Sequence, residues 1–287
     1  MLNSKYKIKD IITFIKKELN QIYSNDEIQS LVIIIFQHVL NYSKIDIHLN
    51  IQTKLTDSNV FQIKKIVSQL KSHMPIQYIT GKTEFFEIPF DVSPDVLIPR
   101  PETEELVQWI IDETNIKNPK ILDIGTGCGC IAVALSKNLA NSKVDAIDNS
   151  EKALFIASEN ARKNHIKINF SRLDILNYHS GNNQKKYDII VSNPPYVKEE
   201  EKKEMKKNVL KYEPHDALFV SDRKPLVFYE AITDFAFLHL NQNAKLYFEI
   251  NESLSSEIAS LLTNKSFKNI QIKKDINGKH RIIRGEI

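Results

Sequence analysis

The chain has 287 residues, which is enough for one large domain or for a large domain and a small one. Its composition, 42% hydrophobic and 26% charged residues, is that of an ordinary soluble protein. The 39 basic and 36 acidic side chains leave a net charge of +3, which is too small a bias to indicate a nucleic-acid partner by itself.

Neither a membrane span nor a disulfide framework is expected. The most apolar stretch, residues 31–36, is far too short to cross a bilayer, and the N-terminus begins an amphipathic pattern instead of an apolar signal core. Cys128 and Cys130 lie too close in sequence to staple a fold, and no histidine pair beside them has metal-ligand spacing. We therefore expect a cytoplasmic protein with free thiols, no membrane span and no metal site.

Helical periodicity dominates residues 1–73. Apolar residues recur at one-face helical spacing in three stretches, which begin at Ile8, Ile28 and Val60. Ser24 and Glu27 form a capping-box signature just before the second stretch, and a turn-like segment precedes the third. The sequence therefore predicts a small N-terminal helical bundle.

Residues 74–100 have a different pattern, that of a β-hairpin linker. Residues 84–92 alternate between polar and β-prone apolar side chains, and five prolines occur between residues 75 and 101. Aromatic and β-branched residues outnumber the turn formers, which argues against a flexible tether. We predict a hairpin that joins the helical bundle to a second domain, residues 101–287.

In residues 101–287, strand-like and helix-like stretches alternate. Strands are predicted at residues 120–123, 143–147, 168–173, 188–192 and 245–250, and helices at residues 130–139, 151–163, 226–240 and 253–262. A final antiparallel pair, residues 267–273 and 280–284, surrounds Asn277-Gly278. The alternation predicts a Rossmann-like α/β fold, with a mostly parallel seven-stranded sheet, an antiparallel last strand and helices on both faces.

A glycine-rich loop follows the first of these strands. Residues 121–129 read ILDIGTGCG, and the glycines let the backbone approach a ligand that a Cβ would block. The dinucleotide fingerprint would need glycine or alanine at Cys130, and the lysine of a phosphate-binding loop is absent. The loop instead resembles the cofactor loop of class I methyltransferases, which passes along the methionine and ribose of S-adenosylmethionine.

Two acidic residues complete this candidate cofactor site. Asp148 ends the next strand, where a carboxylate can accept hydrogen bonds from both ribose hydroxyls, and Asp123 could hold the ammonium group of the cofactor. The candidate cofactor-binding residues are Asp123, Gly125, Thr126, Gly127, Cys128, Gly129 and Asp148. A tight strand-to-helix turn without a ligand is the alternative interpretation of the glycines.

The second chemical signal is Asn193-Pro194-Pro195-Tyr196, directly after the predicted strand 188–192. The lone pair of an amide or exocyclic amino nitrogen is delocalised, so its two N–H groups need two acceptors that aim the nitrogen at the methyl carbon. Asn193 can offer its side-chain oxygen and Pro194 its carbonyl, the prolines stiffen the turn, and Tyr196 can cover the planar group. A Pro-Pro turn that leaves a strand is the alternative.

The two motifs are expected to meet. In a methyltransferase sheet the strands that precede them are neighbours at the topological switch point, where open α/β sheets bind ligands. The sulfonium of the cofactor already activates the methyl group, so no metal or covalent intermediate is required. The sequence predicts methylation of a planar NH2 nitrogen, with Asn193, Pro194 and Tyr196 as catalytic residues and S-adenosylhomocysteine as product.

Further strings are similar to those of one family, the bacterial release factor glutamine methyltransferases, also called PrmC or HemK. They are residues 75–81 (PIQYITG), 97–104 (LIPRPETE), 212–218 (YEPHDAL) and 249–250 (EI), and the resemblance covers nearly the whole chain. It implies the class I methyltransferase fold. It also implies N5-methylation of the glutamine in the Gly-Gly-Gln motif of peptide-chain release factors, the proteins of translation termination.

The resemblance implies roles for individual residues. By position, Asp174 and Ile175 would lie near the adenine, the segment from Asn193 through Pro195 to Tyr196 would hold the glutamine, and Arg100 with Glu102 would shape the entrance. Residues 1–73 would help to dock the release factor. We expect a monomer that acts on a protein and does not require nucleic-acid binding.

Residues 219–225 (FVSDRKP) depart from the glycine-rich, acidic turn of many family members, which leaves the conformation of this loop open. A ribosomal-protein glutamine methyltransferase is a close alternative. The string at residues 97–104 favours the release factor enzyme over it. A nucleic-acid methyltransferase acting on adenine N6 or guanine N2 would need a basic, aromatic-lined groove, which the net charge does not indicate. A non-catalytic cofactor- or RNA-binding module would have no use for both motifs.

Overall fold

The computed structural model describes residues 3–179 and 185–287. Contacts within the chain separate two compact units. The first unit runs to Gly81 and includes Lys207–Tyr212, and the second comprises Lys82–Lys206 and Glu213–Ile287. Residues 1, 2 and 180–184 belong to the two domains predicted from the sequence but lie outside the described residues.

The first unit is helical, and its amphipathic stretches meet in one apolar core. Ser24 caps the second helix: its Oγ accepts from the Glu27 backbone N–H at 3.3 Å, and the Glu27 carboxylate accepts from the Ser24 N–H at 2.9 Å. The core includes Ile8, Ile11, Ile15, Ile28, Ile35, Phe36, Ile63 and Val67. The elements are β1 (Asn3–Lys7), α1 (Ile8–Leu19), α2 (Asn25–Leu40), α3 (Lys44–Leu49), β2 (Lys54–Thr56), α4 (Asp57–Lys71) and α5 (Ile76–Thr80).

Several short elements of the first unit are not predicted by the sequence. β1 and β2 pair antiparallel, although periodicity indicates only helices there. α5 lies in the segment predicted as hairpin linker, and Ile76 packs into the core of the first unit. The contact boundary therefore follows Gly81, at the end of α5.

The second unit contains the hairpin and the α/β sheet. Its first elements are β3 (Lys82–Phe85), β4 (Ile88–Asp91), α6 (Pro101–Glu113), β5 (Lys120–Ile124), α7 (Cys130–Asn138), β6 (Lys143–Asp148), α8 (Glu151–Lys163), β7 (Asn169–Arg172), β8 (Tyr187–Ser192) and β9 (Val197–Lys198). After α9 (Lys207–Tyr212), which belongs to the first unit, come β10 (Phe219–Val220), α10 (Val227–His239), β11 (Leu240–Glu249), α11 (Ser255–Asn264), β12 (Lys268–Lys274) and β13 (His280–Glu286). Short 3₁₀ helices span Ile175–Asn177, Glu199–Glu204, His215–Ala217 and Glu252–Leu254.

The predicted α/β sheet is confirmed. Its seven strands lie in the order β12-β13-β11-β8-β5-β6-β7, and β13 runs antiparallel to both of its neighbours. β11, β8, β5, β6 and β7 are mutually parallel. Most element bounds agree with the prediction within two or three residues, but β11 begins at Leu240 instead of residue 245.

Helices cover both faces of the sheet. Tyr247 and Phe248 are consecutive on β11 and therefore point to opposite faces. The Tyr247 ring lies 5.6 Å from that of Trp109 on α6, whereas the Phe248 ring lies 5.2 Å from that of Tyr229 on α10. α6 and α10 thus bury the two sides of the same strand.

The divergent loop at residues 219–225 has a defined conformation. Its first two residues form β10, which pairs parallel with β9, directly after the Asn-Pro-Pro-Tyr motif. The backbone N–H of Lys224 donates to the Ser221 carbonyl at 3.0 Å and closes a turn. Among residues 3–179 and 185–287, no helix has the length and apolarity needed to cross a membrane.

Candidate active site

The two sequence motifs lie at adjacent strand ends. β5 and β8 are parallel neighbours, and Ile124 pairs with Ser192 at their carboxyl ends. The Ser192 hydroxyl also donates to the Ile124 carbonyl at 2.7 Å, which ties the two ends together. The chain order reverses between β5 and β8, so both motifs face the switch-point crevice of the sheet.

A cavity of about 330 Å³, here called the large cavity, opens at this crevice. Of the residues predicted for the site it is lined by Arg100, Gly125, Thr126, Gly127, Cys128, Asp148, Asp174, Ile175, Asn193, Pro194 and Pro195. A second cavity of about 40 Å³, here called the small cavity, shares Arg100, Asn193 and Pro194 with it. Tyr196 and Glu249 line the small cavity.

The glycine loop needs its glycines for two different reasons. Gly125, Gly127 and Gly129 have φ angles of 73°, 55° and 84°, in the left-handed region that other residues rarely adopt. A Cβ on Gly125 or Gly127 would meet no protein atom within 4 Å, so the space beside these glycines belongs to the large cavity. A Cβ on Gly129 would instead lie 3.1 Å from the Ala157 Cβ, because α8 approaches the loop there.

Asp148 ends β6 and braces the glycine loop. Its Oδ2 accepts from the Gly127 N–H and its Oδ1 from the Ser150 N–H, both at 2.9 Å. Burial raises the pKa of Asp148, and the backbone hydrogen bonds oppose that rise. Each carboxylate oxygen keeps a second lone pair, so the two oxygens can still accept hydrogen bonds from the two hydroxyls of a ribose.

Asp123 lies beneath the loop and is fully buried. Its Oδ2 accepts from the Thr126 hydroxyl at 2.6 Å, whereas its Oδ1 is buried without a hydrogen-bond partner among the described residues. Burial, together with the negative charge of Asp148, raises the pKa of Asp123 to about 7. A half-satisfied buried carboxylate beside an open glycine cradle fits a ligand that carries a cationic group.

The far end of the large cavity is apolar. Leu173, Ile175, Phe228 and Ile232 line it. Asp174 caps the short 3₁₀ helix that carries Ile175, since its Oδ1 accepts from the Leu176 N–H at 3.0 Å. This end can enclose a flat aromatic ring such as adenine.

Asn193 and Tyr196 are held by two buried residues on other elements. The Asn193 Nδ2 donates to Thr103 Oγ1 at 3.2 Å, and the Thr103 hydroxyl donates to Glu249 Oε2 at 2.6 Å. The Tyr196 hydroxyl donates to Glu249 Oε1 at 2.9 Å. Burial raises the pKa of Glu249, which lies at the carboxyl end of β11, and also raises that of Tyr196.

The remaining predicted residues occupy distinct places. Arg100 lines both cavities and forms an ion pair with the buried Glu213 at 2.6 Å. Glu102, Asp123 and Gly129 do not line either cavity. Asp123 and Gly129 lie behind the cavity wall, and Glu102 acts electrostatically on Glu249.

Sequence reasoning assigns no role to Thr103, Glu213 or Glu249, although each lies within a string that resembles the family. A signal for Glu249 is its position, an acid at the carboxyl end of a parallel strand next to β8. Thr103 gives no such signal, because nothing local distinguishes it from a threonine in the first turn of any helix.

The fold is that of a class I methyltransferase, and the large cavity lies at the switch point of its sheet. Residues 102–216 match the family described as Methyltransferase small domain, and residues 10–81 match the PrmC N-terminal domain. The chain belongs to the release factor glutamine methyltransferases. It is 48% identical to the enzyme of that name from Flavobacterium psychrophilum, over 96% of this chain and 98% of the relative.

Two further proteins are similar to this chain. The release factor glutamine methyltransferase of Bacteroides thetaiotaomicron is 42% identical over 95% of this chain and 98% of its own. A T. thermophilus 16S rRNA methyltransferase, solved in complex with AdoMet and guanosine, has a TM-score of 0.51 at 17% identity and covers 71% of this chain and 49% of its own. The first supports the family, and the second supports the fold.

Proposed function

We propose that this enzyme transfers the methyl group of S-adenosylmethionine to the side-chain amide nitrogen of the glutamine in the Gly-Gly-Gln motif of peptide-chain release factors. The observation that carries the proposal is the position of Asn193 and Pro194, which line both the large and the small cavity. Relatives that share almost the full length carry the name release factor glutamine methyltransferase.

The large cavity is proposed to hold the cofactor. The open sides of Gly125 and Gly127 would accept its methionine portion, and the buried Asp123 carboxylate behind the cavity wall would hold the ammonium group through water. Asp148 would accept the ribose hydroxyls, and Ile175 would pack on the adenine. The bound cofactor supplies an electrophilic methyl group, and S-adenosylhomocysteine is the product.

The small cavity is proposed to hold the glutamine side chain. The Asn193 side-chain oxygen and the Pro194 carbonyl accept the two amide N–H groups, which leaves the nitrogen facing the large cavity. The ring of Tyr196 covers the planar amide while its hydroxyl is held by Glu249. Acceptors that are already in place at the start of the reaction lower the barrier without any chemical step by the protein.

We further propose that the first unit docks the release factor and that Arg100 and Glu102 shape the entrance. The match of residues 10–81 to the PrmC N-terminal domain supports a dedicated role for this part of the chain. The proposed substrates act at the ribosome, which supports a cytoplasmic enzyme. We also propose that the enzyme acts as a monomer.

Incubation of purified release factor with S-adenosylmethionine and the enzyme tests the proposal. We expect one added methyl group on the Gly-Gly-Gln glutamine in peptide mass analysis. Asn193→Ala should lower kcat by about a hundredfold to a thousandfold, with unchanged cofactor affinity, because one preorganised hydrogen-bonding group is lost.

Parallel incubations with ribosomal proteins and with RNA serve as controls. Methylation of a ribosomal protein or of RNA, while the release factor stays unmethylated, would contradict the proposed substrate. Full activity of Asn193→Ala would contradict the role of Asn193 alone.

A further inference from the structure

A chain of hydrogen bonds connects Asn193 to the buried end of β11. Asn193 donates through Nδ2 to Thr103 at 3.2 Å, Thr103 donates to one oxygen of Glu249 at 2.6 Å, and Tyr196 donates to the other at 2.9 Å. Thr103 and Glu249 are only 2% and 1% exposed. Both side chains therefore have most of their surface against protein atoms.

The direction of these bonds follows from the number of protons available. An ionised carboxylate only accepts, so the single hydroxyl proton of Thr103 is committed to Glu249. Toward Asn193 the same hydroxyl can then only accept. The NH2 end of the Asn193 amide must face Thr103, and the oxygen lies on the other side, where no described residue donates to it.

This direction matters because the two ends of an asparagine amide have nearly the same shape. An unconstrained Asn193 could turn by 180° with little steric change and present its NH2 group to the substrate. Two N–H donors would then face each other, and the substrate amide would lose an acceptor. An acid would bind such a flipped site better than an amide, since its oxygens accept from NH2.

The groups around Glu249 have opposite effects on its pKa. Burial raises its pKa, while the hydroxyls of Thr103 and Tyr196 and the positive charge of Arg281 favour the ionised form. The negative charge of Glu102 disfavours the ionised form. The two hydroxyl donors, one on each oxygen, are the geometry that an ionised carboxylate requires.

We propose that Thr103 and Glu249 are positioning residues that hold the Asn193 amide with its oxygen toward the substrate, and that they thereby select an amide over an acid. The inference rests on the proposed function, since it takes Asn193 as the acceptor for the glutamine amide. Thr103 and Glu249 need not touch the reacting atoms, because they act through Asn193.

Thr103→Val tests the inference, because valine has the shape of threonine without the hydroxyl. We expect kcat for methylation of the release factor to fall by about tenfold to a hundredfold, while the Kd of S-adenosylmethionine is unchanged. Thr103→Ser keeps the hydroxyl and should restore most of kcat. The wild-type rate is measured first, because an unmethylated release factor would contradict the proposed function and not the positioning role alone.

A binding measurement separates orientation from general damage. Release factors with Gly-Gly-Gln and with Gly-Gly-Glu are titrated against the enzyme in the presence of S-adenosylhomocysteine. The wild type should prefer glutamine, and Thr103→Val should lose that preference because Asn193 can present either end. If Thr103 acted only through packing, Thr103→Val would weaken the binding of both release factors to the same extent.

Glu249→Gln tests the other end of the same series of hydrogen bonds. It remains informative if Thr103→Val does not fold. Its amide nitrogen can donate to Thr103, which frees the hydroxyl proton for the Asn193 oxygen and favours the flipped amide. We expect Glu249→Gln to lower kcat and to lose the preference for glutamine. Thr103→Ser should show neither loss.

Thr233→Val is the matched control, because Thr233 is equally buried and its hydroxyl has no hydrogen-bond partner among the described residues. It should match the wild type in kcat and preference. The inference is overturned if Thr103→Val keeps the wild-type kcat and glutamine preference, or if Thr103→Ser is impaired as severely as Thr103→Val.

Discussion

Burial in the folded protein destabilises the ionised form of the Asp123 carboxyl group relative to water. Its Oδ1 has no hydrogen-bond partner in the part of the chain that the structure describes, and burial raises its pKa from the ordinary value of 3.8 to about 7. The folded chain therefore binds the proton more tightly than the unfolded chain between these two values. Stability is full below about pH 4 and falls as the pH rises to 7, since the folded protein must then bury an unpaired charge.

Replacement of this carboxyl group should stabilise the protein in the absence of cofactor. We expect Asp123→Asn to exceed the wild type in free energy of unfolding by about 2–4 kcal/mol at pH 8, with a smaller difference at pH 5. Urea denaturation at both pH values measures this difference. The same variant should bind S-adenosylmethionine more weakly, since the ammonium group loses its charged partner. A difference that is the same at pH 5 and pH 8 would contradict the assigned pKa.

Candidate site residues could be proposed from the sequence because glycine, proline and asparagine have distinctive local chemistry. Gly125, Gly127, Asn193 and Pro194 line the large cavity, whereas Tyr196 lines the small cavity and Gly129 lines neither. The partner of Asn193 could not be predicted, because Thr103 is 90 residues away in the chain. Nothing in a single sequence pairs those two side chains.

Among the elements, the β3–β4 hairpin depends on one buried side chain of α8. Asn160 is 0% exposed, and its Oδ1 accepts from the Asp91 N–H at 2.7 Å. Its Nδ2 donates to the Asp91 carbonyl at 3.0 Å and to the Cys128 carbonyl at 2.9 Å. One amide thus joins the hairpin, α8 and the glycine loop.

Asn160→Ala should lower the free energy of unfolding by about 3 kcal/mol, because it leaves buried backbone groups unpaired. It should also weaken cofactor binding, since the loop loses an anchor at Cys128. Asn164→Ala is the control, because Asn164 directly follows the same helix and donates to the hairpin at the Pro89 carbonyl but is less buried. Denaturant unfolding and calorimetric titration measure both effects, and equal losses in the two variants would contradict the role of Asn160.

Element types with strong periodicity could be predicted, and those without it could not. α8 has the predicted bounds, residues 151–163, and in the structure the Ser150 hydroxyl caps it locally by accepting from the Ala153 N–H. α5, with only five residues, has no periodicity to detect and lies in a proline-punctuated segment. β11 extends to Leu240 because its first residue pairs with Tyr187 on β8, a partner that periodicity does not reveal.

At the scale of the whole molecule, the first unit exposes apolar side chains that its core does not use. Phe61 on α4 is 70% exposed, and Ile45 and Leu49 on α3 are 69% and 75% exposed. Exposed apolar side chains of this kind are candidates for contact with a protein partner. They suit the docking role proposed for this unit.

We expect Phe61→Glu to raise KM for the intact release factor by about tenfold, with unchanged kcat and cofactor affinity, because an apolar contact is replaced by a charge. Phe155→Glu is the matched control, since Phe155 on α8 is 68% exposed but belongs to the second unit. A short Gly-Gly-Gln peptide should be methylated alike by all three proteins. If Phe61→Glu matched the wild type on the intact release factor, docking through this side chain would be ruled out.

The seven strands of the large sheet, the family and the two motifs could be predicted from the sequence, because periodicity, glycine, proline and asparagine act over a few neighbouring residues. Only long-range contacts bring Lys207–Tyr212 into the first unit and place the Thr103 and Tyr196 hydroxyls on the Glu249 carboxylate. They also place the Asn193 amide nitrogen beside the Thr103 hydroxyl. These features depend on hydrogen bonds and packing between residues far apart in the chain, where local chemistry carries no information.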